Sequence, residues 1–284
     1  MYRFLPIPAT AFDPLNEMIV AIRYGLFPTL LAIWFNPSMW GIHRRDVRAR
    51  ISRTFFFHVW RRVAEDTDKL HRERKLELIR RRAFGVVLDV GAGLGHALRY
   101  LDSRLVTLYI ACEPNQAMHP AIRTEAKKAG LKAQQCVIFP NSANELQHLI
   151  DSKHPKLIPG SVDTIISILS LCSIFHPEQE RLDYSRWRSD HQAISQVIAT
   201  LLKPKTGKIL FHELVPNESS PRIHAWQRFW SPIRSIYFGG CRLDVPCLRI
   251  LRDLGGWSRV KTWDTHDEDP DTLFPHQTGE LIKA

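Results

Sequence analysis

The sequence predicts an α/β fold in which a mostly parallel, doubly wound sheet carries helices on both faces. A buried apolar run, Val86–Val90, passes directly into a glycine-rich turn, and strand-like segments then alternate with helix-like ones. Four further strands are expected at Thr107–Cys112, Ala133–Phe139, Thr164–Leu169 and Lys208–Glu213. Helices are expected between them at Pro114–Ala129, Ala143–Ile150 and Arg188–Leu202. Right-handed crossovers bring the carboxyl ends of such strands to one edge, where ligand-binding residues should collect.

The turn after the first strand has the pattern D-x-G-x-G-x-G, with Asp89 followed by Gly91, Gly93 and Gly95. Glycine lets a backbone turn tightly and approach a ligand without a Cβ in the way. A helix is expected to follow at His96–Leu101, with its N-terminal amides facing the ligand. Dinucleotide enzymes use G-x-G-x-x-G, and an acidic Asp89 would repel phosphates, so the pattern argues against pyrophosphate binding.

Glu113 ends the second predicted strand, 20 residues after Gly93. Nucleotide-binding α/β units place at this spacing the acid that binds a ribose. A carboxylate suits a ribose because its oxygens accept hydrogen bonds from both hydroxyls. The residues alone leave open a strand-turn-helix unit that binds another ligand, or an NAD(P) enzyme.

Together, Asp89, the three glycines and Glu113 resemble the class I S-adenosylmethionine-dependent methyltransferases. The resemblance implies a Rossmann-like, seven-stranded, mostly parallel sheet, here with an N-terminal helical cap, and S-adenosyl-L-methionine as cofactor. It implies that Asn115 borders the adenine, that Asn144 contacts the adenine amino group, and that Ser170 and Leu171 lie beside the methionine part. The expected cofactor-binding set is therefore Asp89, Gly91, Gly93, Gly95, Glu113, Asn115, Asn144, Ser170 and Leu171. For Ser170, capping of a helix start is an equal alternative.

The second half of the chain is also similar to the membrane-associated alkyl-thiol S-methyltransferases. The similarity rests on short segments, among them Leu171-Cys172-Ser173, Leu202-Lys203-Pro204, Trp226-Gln227, Gly240-Cys241 and Pro275-His276. It implies methylation of a small apolar metabolite, at a thiol sulfur or an amine nitrogen. The charged insertion Pro177–Arg188 departs from that family and favours a specialised enzyme of secondary metabolism. An O-methyltransferase and a non-catalytic cofactor-binding scaffold are the alternatives.

The candidate catalytic residues are His276 and Glu213, chosen over His212 and His224. Glu213 ends the fifth predicted strand, and His276 precedes a segment that resembles the family's closing antiparallel strand. His212 should point to the opposite face from Glu213, because side chains alternate along a strand. No metal site is expected.

The N-terminal third is strongly basic: 16 of the chain's 39 Lys and Arg precede Gly85, against 8 Asp and Glu. We expect residues 1–84 to form a helical cap or membrane-contacting segment and residues 85–284 to form the methyltransferase domain. The apolar run Tyr24–Phe35 is shorter than the roughly 20 residues that a spanning helix needs. Peripheral contact with an anionic membrane and a cap over the active site are both open and compatible. Acidic residues interleave with the basic ones, so no nucleic acid is expected as a partner.

Two further features bear on location and packing. The five cysteines are odd in number and lack a C-x-x-C pair, so we expect reduced thiols and an intracellular enzyme, cytoplasmic or peripheral on an internal membrane. An aromatic stripe from Trp226 to Phe238 has helical spacing and predicts core packing or a cap, with Arg222, Arg228 and Arg234 on the other face.

Overall fold

The computed structural model describes residues 9–35, 44–151, 156–174, 195–263 and 268–284. They contain a seven-stranded sheet with the order β3-β2-β1-β4-β5-β7-β6. The strands are β1 Gly85–Val90, β2 Val106–Cys112, β3 Cys136–Phe139, β4 Thr164–Ile168, β5 Lys208–Leu214, β6 Trp257–Trp263 and β7 His276–Lys283. Strands β1 to β5 pair in parallel, whereas β7 runs antiparallel to both β5 and β6. The predicted fold class is confirmed, and the strand order reverses between β1 and β4, where such sheets bind ligands.

Helices cover both faces of this sheet. They are α1 Asp13–Ala21, α2 Phe27–Phe35, α3 Arg44–Leu70, α4 Arg72–Ile79, α5 His119–Lys128, α6 Leu146–Asp151, α7 Leu171–Ile174, α8 195–201, α9 Pro221–Tyr237 and α10 Cys247–Asp253. Alternate residues of β1 enter two different cores: Val87 packs with Leu78 of α4 and Ile122 of α5, while Leu88 packs with the residues of α6, α8 and α10. Burial on both faces explains why the strands are continuous apolar runs.

Two local elements differ from the sequence-based expectation. The segment after the glycine turn is a 3-10 helix, His96–Tyr100, because left-handed Gly95 and extended Leu101 leave only five residues between them. The third strand begins at Cys136, since Ala133–Gln135 forms a 3-10 turn closed by the Gln135 side chain. Only residues 195–201 of the helix predicted at Arg188–Leu202 lie in the described part of the chain, and the insertion Pro177–Arg188 lies outside it.

The N-terminal helix is longer than the apolar run that predicted it. Helices α1 and α2 join through a π-helical turn, Ile22–Leu26, into one helix from Thr10 to Phe35. By length and composition it is the one helix among the described residues that could cross a membrane, with a mean hydropathy of 1.7 and 17% of the apolar window buried. Such a helix is weak evidence of a span, because core helices and signal sequences have the same composition.

Helix α9 anchors the start of this N-terminal helix. The indole of Trp230 donates to the carbonyl of Ala11, and the Tyr237 hydroxyl donates to the carbonyl of Pro14, each over 2.8 Å. The expectation that Arg234 lies on the solvent side of α9 is wrong. Its side chain is only 3% exposed and pairs with Glu17 at 2.8 Å, because it shares the face of Trp230 one helical turn earlier.

Helix α3 crosses the N-terminal helix at Gly25 and continues to the carboxyl edge of the sheet. A Cβ on Gly25 would lie 2.7 Å from the Phe55 ring, so only glycine lets the two helices approach this closely. The expectation of five free thiols is also wrong. Cys172 of α7 and Cys241, after α9, form a disulfide, while Cys112, Cys136 and Cys247 are free.

Candidate active site

The glycine turn after β1 has a backbone that only glycine adopts readily. Gly91, Gly93 and Gly95 have φ angles of 74°, 55° and 82°. A Cβ on Gly91 would lie 2.6 Å from the Cβ of Ser170, which brings the turn after β4 directly against the turn after β1. The two predicted cofactor-binding segments therefore meet at the carboxyl edge of the sheet.

Glu113 lies beside this turn and is bonded to it. Its Oε2 accepts from the backbone N–H of Gly93, and its Oε1 accepts from that of Asn115, each over 2.8 Å. The side chain is buried, and burial raises the pKa of Glu113 from 4.5 to about 7, against the opposing effect of the two backbone hydrogen bonds. Each oxygen accepts one of these bonds and can accept a second, which is what a ribose diol requires.

Asn115 connects the end of β2 to the N-terminal helices. Its amide Nδ2 donates to the carbonyl of Arg53 in α3 over 2.8 Å, and its Oδ1 accepts from the N–H of Ala117. The side chain is buried, and its cap starts the short turn that leads into α5. Asn115 thus holds α3 over the edge of the sheet where Glu113 lies.

Asp89 is buried inside the sheet layer, and its contact is with Tyr109 on β2. The Tyr109 hydroxyl donates to Oδ2 of Asp89, and burial raises the pKa of Asp89 to about 6. This hydrogen bond fixes the end of β1 against β2, directly before the glycine turn. The structure therefore gives Asp89 a supporting position behind the turn.

The turn after β4 is organised by Glu213. Oε1 accepts from the Ser167 hydroxyl at 2.7 Å and from the Ser170 N–H at 3.1 Å, while Oε2 accepts from the Leu171 N–H at 3.2 Å. Glu213 is fully buried, and burial raises its pKa to about 7. Its carboxylate caps the start of α7 by accepting from the N–H groups of Ser170 and Leu171. The capping role considered for Ser170 is therefore performed by Glu213.

An indole covers the glycine turn, and two further aromatic rings pack around it. The Trp60 indole nitrogen lies 3.1 Å from where a Cβ on Gly93 would be, Phe56 stacks on Trp60 at 5.8 Å, and Phe238 contacts both rings edge-on. All three are partly exposed. We call Phe56, Trp60 and Phe238 the aromatic cap. Residues from α3 and the end of α9 thus enclose the same edge of the sheet.

The two predicted catalytic residues lie on opposite faces of the sheet. His276 of β7 pairs with Leu214 of β5, so its side chain shares the face of Leu214 and His212, whereas Glu213 points to the other face. His276 lies in a cluster with His212 and His71. Long-range contacts create this cluster, and no local sequence signal identifies it.

Leu171 and Asn144 are the two remaining predicted site residues. Leu171 is 1% exposed at the start of α7. Asn144 lies in the 3-10 turn Ala143–Glu145 after β3, but its side chain falls outside the described part of the structure. The cofactor roles of all nine predicted residues stay predictions.

Comparison with known proteins supports one class of activity. A family model described as a methyltransferase domain matches residues 58–245. No curated protein matches the sequence. The fold is similar to a SAM-dependent methyltransferase from Leishmania major, with 17% identity, a TM-score of 0.50, and coverage of 84% of this chain and 82% of that one. It is also similar to an O-methyltransferase family protein from Burkholderia thailandensis, with 14% identity, a TM-score of 0.54, and coverage of 96% and 72%.

Proposed function

The chain belongs to the methyltransferase-domain family, and we propose that it methylates a small apolar metabolite at a thiol sulfur or an amine nitrogen. It is an enzyme, and its cofactor is S-adenosyl-L-methionine. The observation that carries the proposal is the juxtaposition of buried Glu113, the glycine turn and the aromatic cap at one edge of the sheet.

The residues at this edge fit the cofactor. Glu113 would accept hydrogen bonds from the ribose hydroxyls, since each of its oxygens has a further acceptor direction. Gly91 and Gly93 let the turn pack closely against Ser170 and Trp60 at this edge. Asn115, Asn144, Ser170 and Leu171 would border the adenine and methionine ends. Asp89 would act through the turn that it supports. When bound, S-adenosylmethionine supplies an electrophilic methyl group on a positively charged sulfur.

The aromatic cap supports a small apolar acceptor. Aromatic faces bind apolar ligands and also attract a cation within about 6 Å, so the same rings suit both reactants of a methyl transfer from sulfonium. The cap presents aromatic rings at this edge, which suits an apolar metabolite. This favours a metabolite over RNA or protein, and the charged insertion Pro177–Arg188 is in keeping with secondary metabolism.

Methyl transfer depends mainly on how the enzyme positions the two reactants. Two reactants held in line gain a large effective molarity, and exclusion of water by the cap protects the displacement. A thiol with an ordinary pKa of about 8.5 ionises sufficiently without a strong base. This suits a site in which the Glu213 carboxylate already accepts hydrogen bonds from Ser167, Ser170 and Leu171. The catalytic roles of Glu213 and His276 stay predictions.

Transfer of labelled methyl to a panel of apolar thiols, amines and phenols tests the proposal. Product from a thiol or amine supports it, and product from phenols alone identifies an O-methyltransferase. Binding of the cofactor without transfer to any acceptor favours a non-catalytic scaffold. Label that enters only the RNA or protein of a cell extract contradicts a small-molecule acceptor.

We further propose that residues 1–84 form a helical cap that also lies on an internal membrane, and that residues 85–284 form the methyltransferase domain. The N-terminal helix is docked through Ala11, Pro14 and Glu17, so it lies along the protein surface. Its outer face exposes large apolar side chains at Ile19, Leu26, Phe27, Leu30, Trp34 and Phe35. An exposed apolar helix face beside a basic segment is typical of peripheral attachment to an anionic lipid surface.

A further inference from the structure

Three imidazoles meet on the face of β5 that lies opposite Glu213. His71 follows α3, His212 lies in β5 and His276 begins β7, and one nitrogen from each lies within 4.8 Å of the other two. His212 and His276 are stacked, with ring centroids 5.1 Å apart, and His71 lies 4.7 and 4.5 Å from them. Three buried or half-buried histidines from separate elements thus converge on one point.

The outer nitrogens of two of these rings already have partners. Nδ1 of His276 lies 2.9 Å from Oε1 of Glu268, and Nδ1 of His212 lies 2.8 Å from the hydroxyl of Thr278. A carboxylate only accepts, so in the neutral His276 ring the proton lies on Nδ1 and the lone pair on Nε2. Nε2 of His212 is fully buried and has no hydrogen-bond partner among the described residues. A buried polar atom without a partner is costly, and it points to a missing ligand.

We propose that His71, His212 and His276 bind one divalent cation of the zinc class through their imidazole nitrogens. Zinc binds imidazole readily, whereas hard cations prefer oxygen ligands. Three histidines with one open position form a common zinc site. The Glu268–His276 pair matches the carboxylate that orients metal-binding histidines. Tetrahedral coordination at about 2.0–2.1 Å needs donor atoms roughly 3.3 Å apart, so the rings have to close by small side-chain rotations.

The surroundings favour the neutral rings that a metal requires. Burial lowers the pKa of His71 to about 3 and that of His212 well below 6.5, with nearby positive charge adding to the effect. The positive charge comes first from His276 in its protonated form and then from Lys75 and Arg74. Lys75 is paired with buried Asp68 at 2.8 Å, which offsets its repulsion of a cation. Glu268 contributes a negative charge beside His276.

A bound cation would join the N-terminal helices to the far side of the sheet. His71 lies between α3, which carries Trp60 of the aromatic cap, and α4, while His212 and His276 belong to two paired strands. The metal would therefore fix the cap-bearing helix against the domain without touching the methyl-transfer site. Coordination through Nε2 would also use the lone pair that His276 needs as a general base, so the two roles exclude each other.

Zinc titration of the full chain, purified without a histidine tag and stripped with a chelator, tests the site. We expect one Zn²⁺ per chain by competition with a chromophoric chelator, and a thermal midpoint raised by about 5 °C or more at saturating zinc. Mg²⁺, which prefers oxygen ligands, should produce neither effect. Cobalt substitution should give the absorption bands of a tetrahedral nitrogen site.

Substitutions separate this site from adventitious binding. His212→Gln and the more exposed His276→Gln should each abolish stoichiometric binding, and Glu268→Gln should weaken it by about 10- to 100-fold. His224→Gln, which removes a histidine from α9, should bind zinc as the parent chain does. Absence of zinc binding by the folded parent chain, or unchanged binding in both His212→Gln and His276→Gln, would overturn the proposal. Zinc binding would exclude His276 as a general base, whereas methyl transfer itself is measured separately by the labelled-acceptor assay.

Discussion

The Trp60 indole lies directly over Gly93, with Nε1 3.1 Å from the position that a Cβ would take there. The glycine turn follows β1, whereas Trp60 lies on α3 in the basic N-terminal third of the chain. The N-terminal segment is therefore part of the proposed active site as well as its covering. Asn115, whose side chain bonds to the carbonyl of Arg53, holds the same helix at a second point.

Removal of this contact should weaken cofactor binding. Trp60→Ala opens the aromatic cap to water, and we expect about tenfold weaker binding of S-adenosylhomocysteine, close to 1.4 kcal/mol. Isothermal titration calorimetry measures the change. Trp34→Ala, which removes an indole that is 76% exposed on α2, is the matched control and should leave the affinity unchanged. Equal affinities for Trp60→Ala and the parent chain would exclude Trp60 from the site.

The buried carboxyl of Glu213 predicts a dependence of stability on pH. Its pKa is raised by burial from 4.5 to about 7, so folding favours the protonated form. That stabilising contribution is fully present below pH 4.5 and is lost as the pH rises through about 7. We expect the free energy of unfolding to fall over this interval, with Glu213 contributing up to about 3 kcal/mol.

Denaturant titrations between pH about 5 and about 7.5 measure this effect. Glu213→Gln cannot ionise, so its stability should change less with pH than that of the parent chain. Glu145→Gln makes the same chemical change at an exposed position and should keep the parent's slope. Identical slopes for Glu213→Gln and the parent would show that Glu213 titrates equally in the folded and unfolded chain.

The exposed face of the N-terminal helix predicts binding to anionic membranes. The double substitution Phe27→Ser and Trp34→Ser removes two side chains that are 66% and 76% exposed, and should abolish flotation with phosphatidylserine vesicles. Phe229→Ser with Ile236→Ser removes two comparably exposed apolar side chains from α9, 56% and 74%, and should float as the parent does. A parent chain that stays in solution with such vesicles would contradict peripheral attachment.

The sequence predicted the sheet and the position of Glu113 because both depend on local patterns. Val86–Val90 and Tyr109–Cys112 are apolar runs that end in a glycine turn and an acid, and neighbouring parallel strands bring such ends together. Periodicity misplaced Arg234 because an ion pair with distant Glu17 lets a charged side chain occupy the buried face.

Local sequence patterns could not predict contacts between distant segments of the chain. The stack of Trp60 over Gly93, the Cys172–Cys241 disulfide and the cluster that joins His71 to His276 each link parts of the chain whose separation only the tertiary fold determines. His276 was predicted beside the substrate because the segment after it resembles the family's closing antiparallel strand, and this segment is the antiparallel strand β7, which lies between β5 and β6. Its pairing with Leu214 puts the side chain on the opposite face from Glu213.

Calorimetric titration of S-adenosylhomocysteine into the parent chain and Glu113→Gln tests the proposed cofactor site most directly. The parent should bind one equivalent. Glu113→Gln keeps the size of the side chain but loses charge-assisted acceptance from the ribose, so we expect roughly 10- to 100-fold weaker binding, while exposed Glu77→Gln on α4 binds normally. Because the pKa of Glu113 is about 7, the parent's affinity should also decline below that pH, and that of Glu113→Gln should not. A folded Glu113→Gln that binds as tightly as the parent at every pH would contradict the assignment of Glu113 to the ribose.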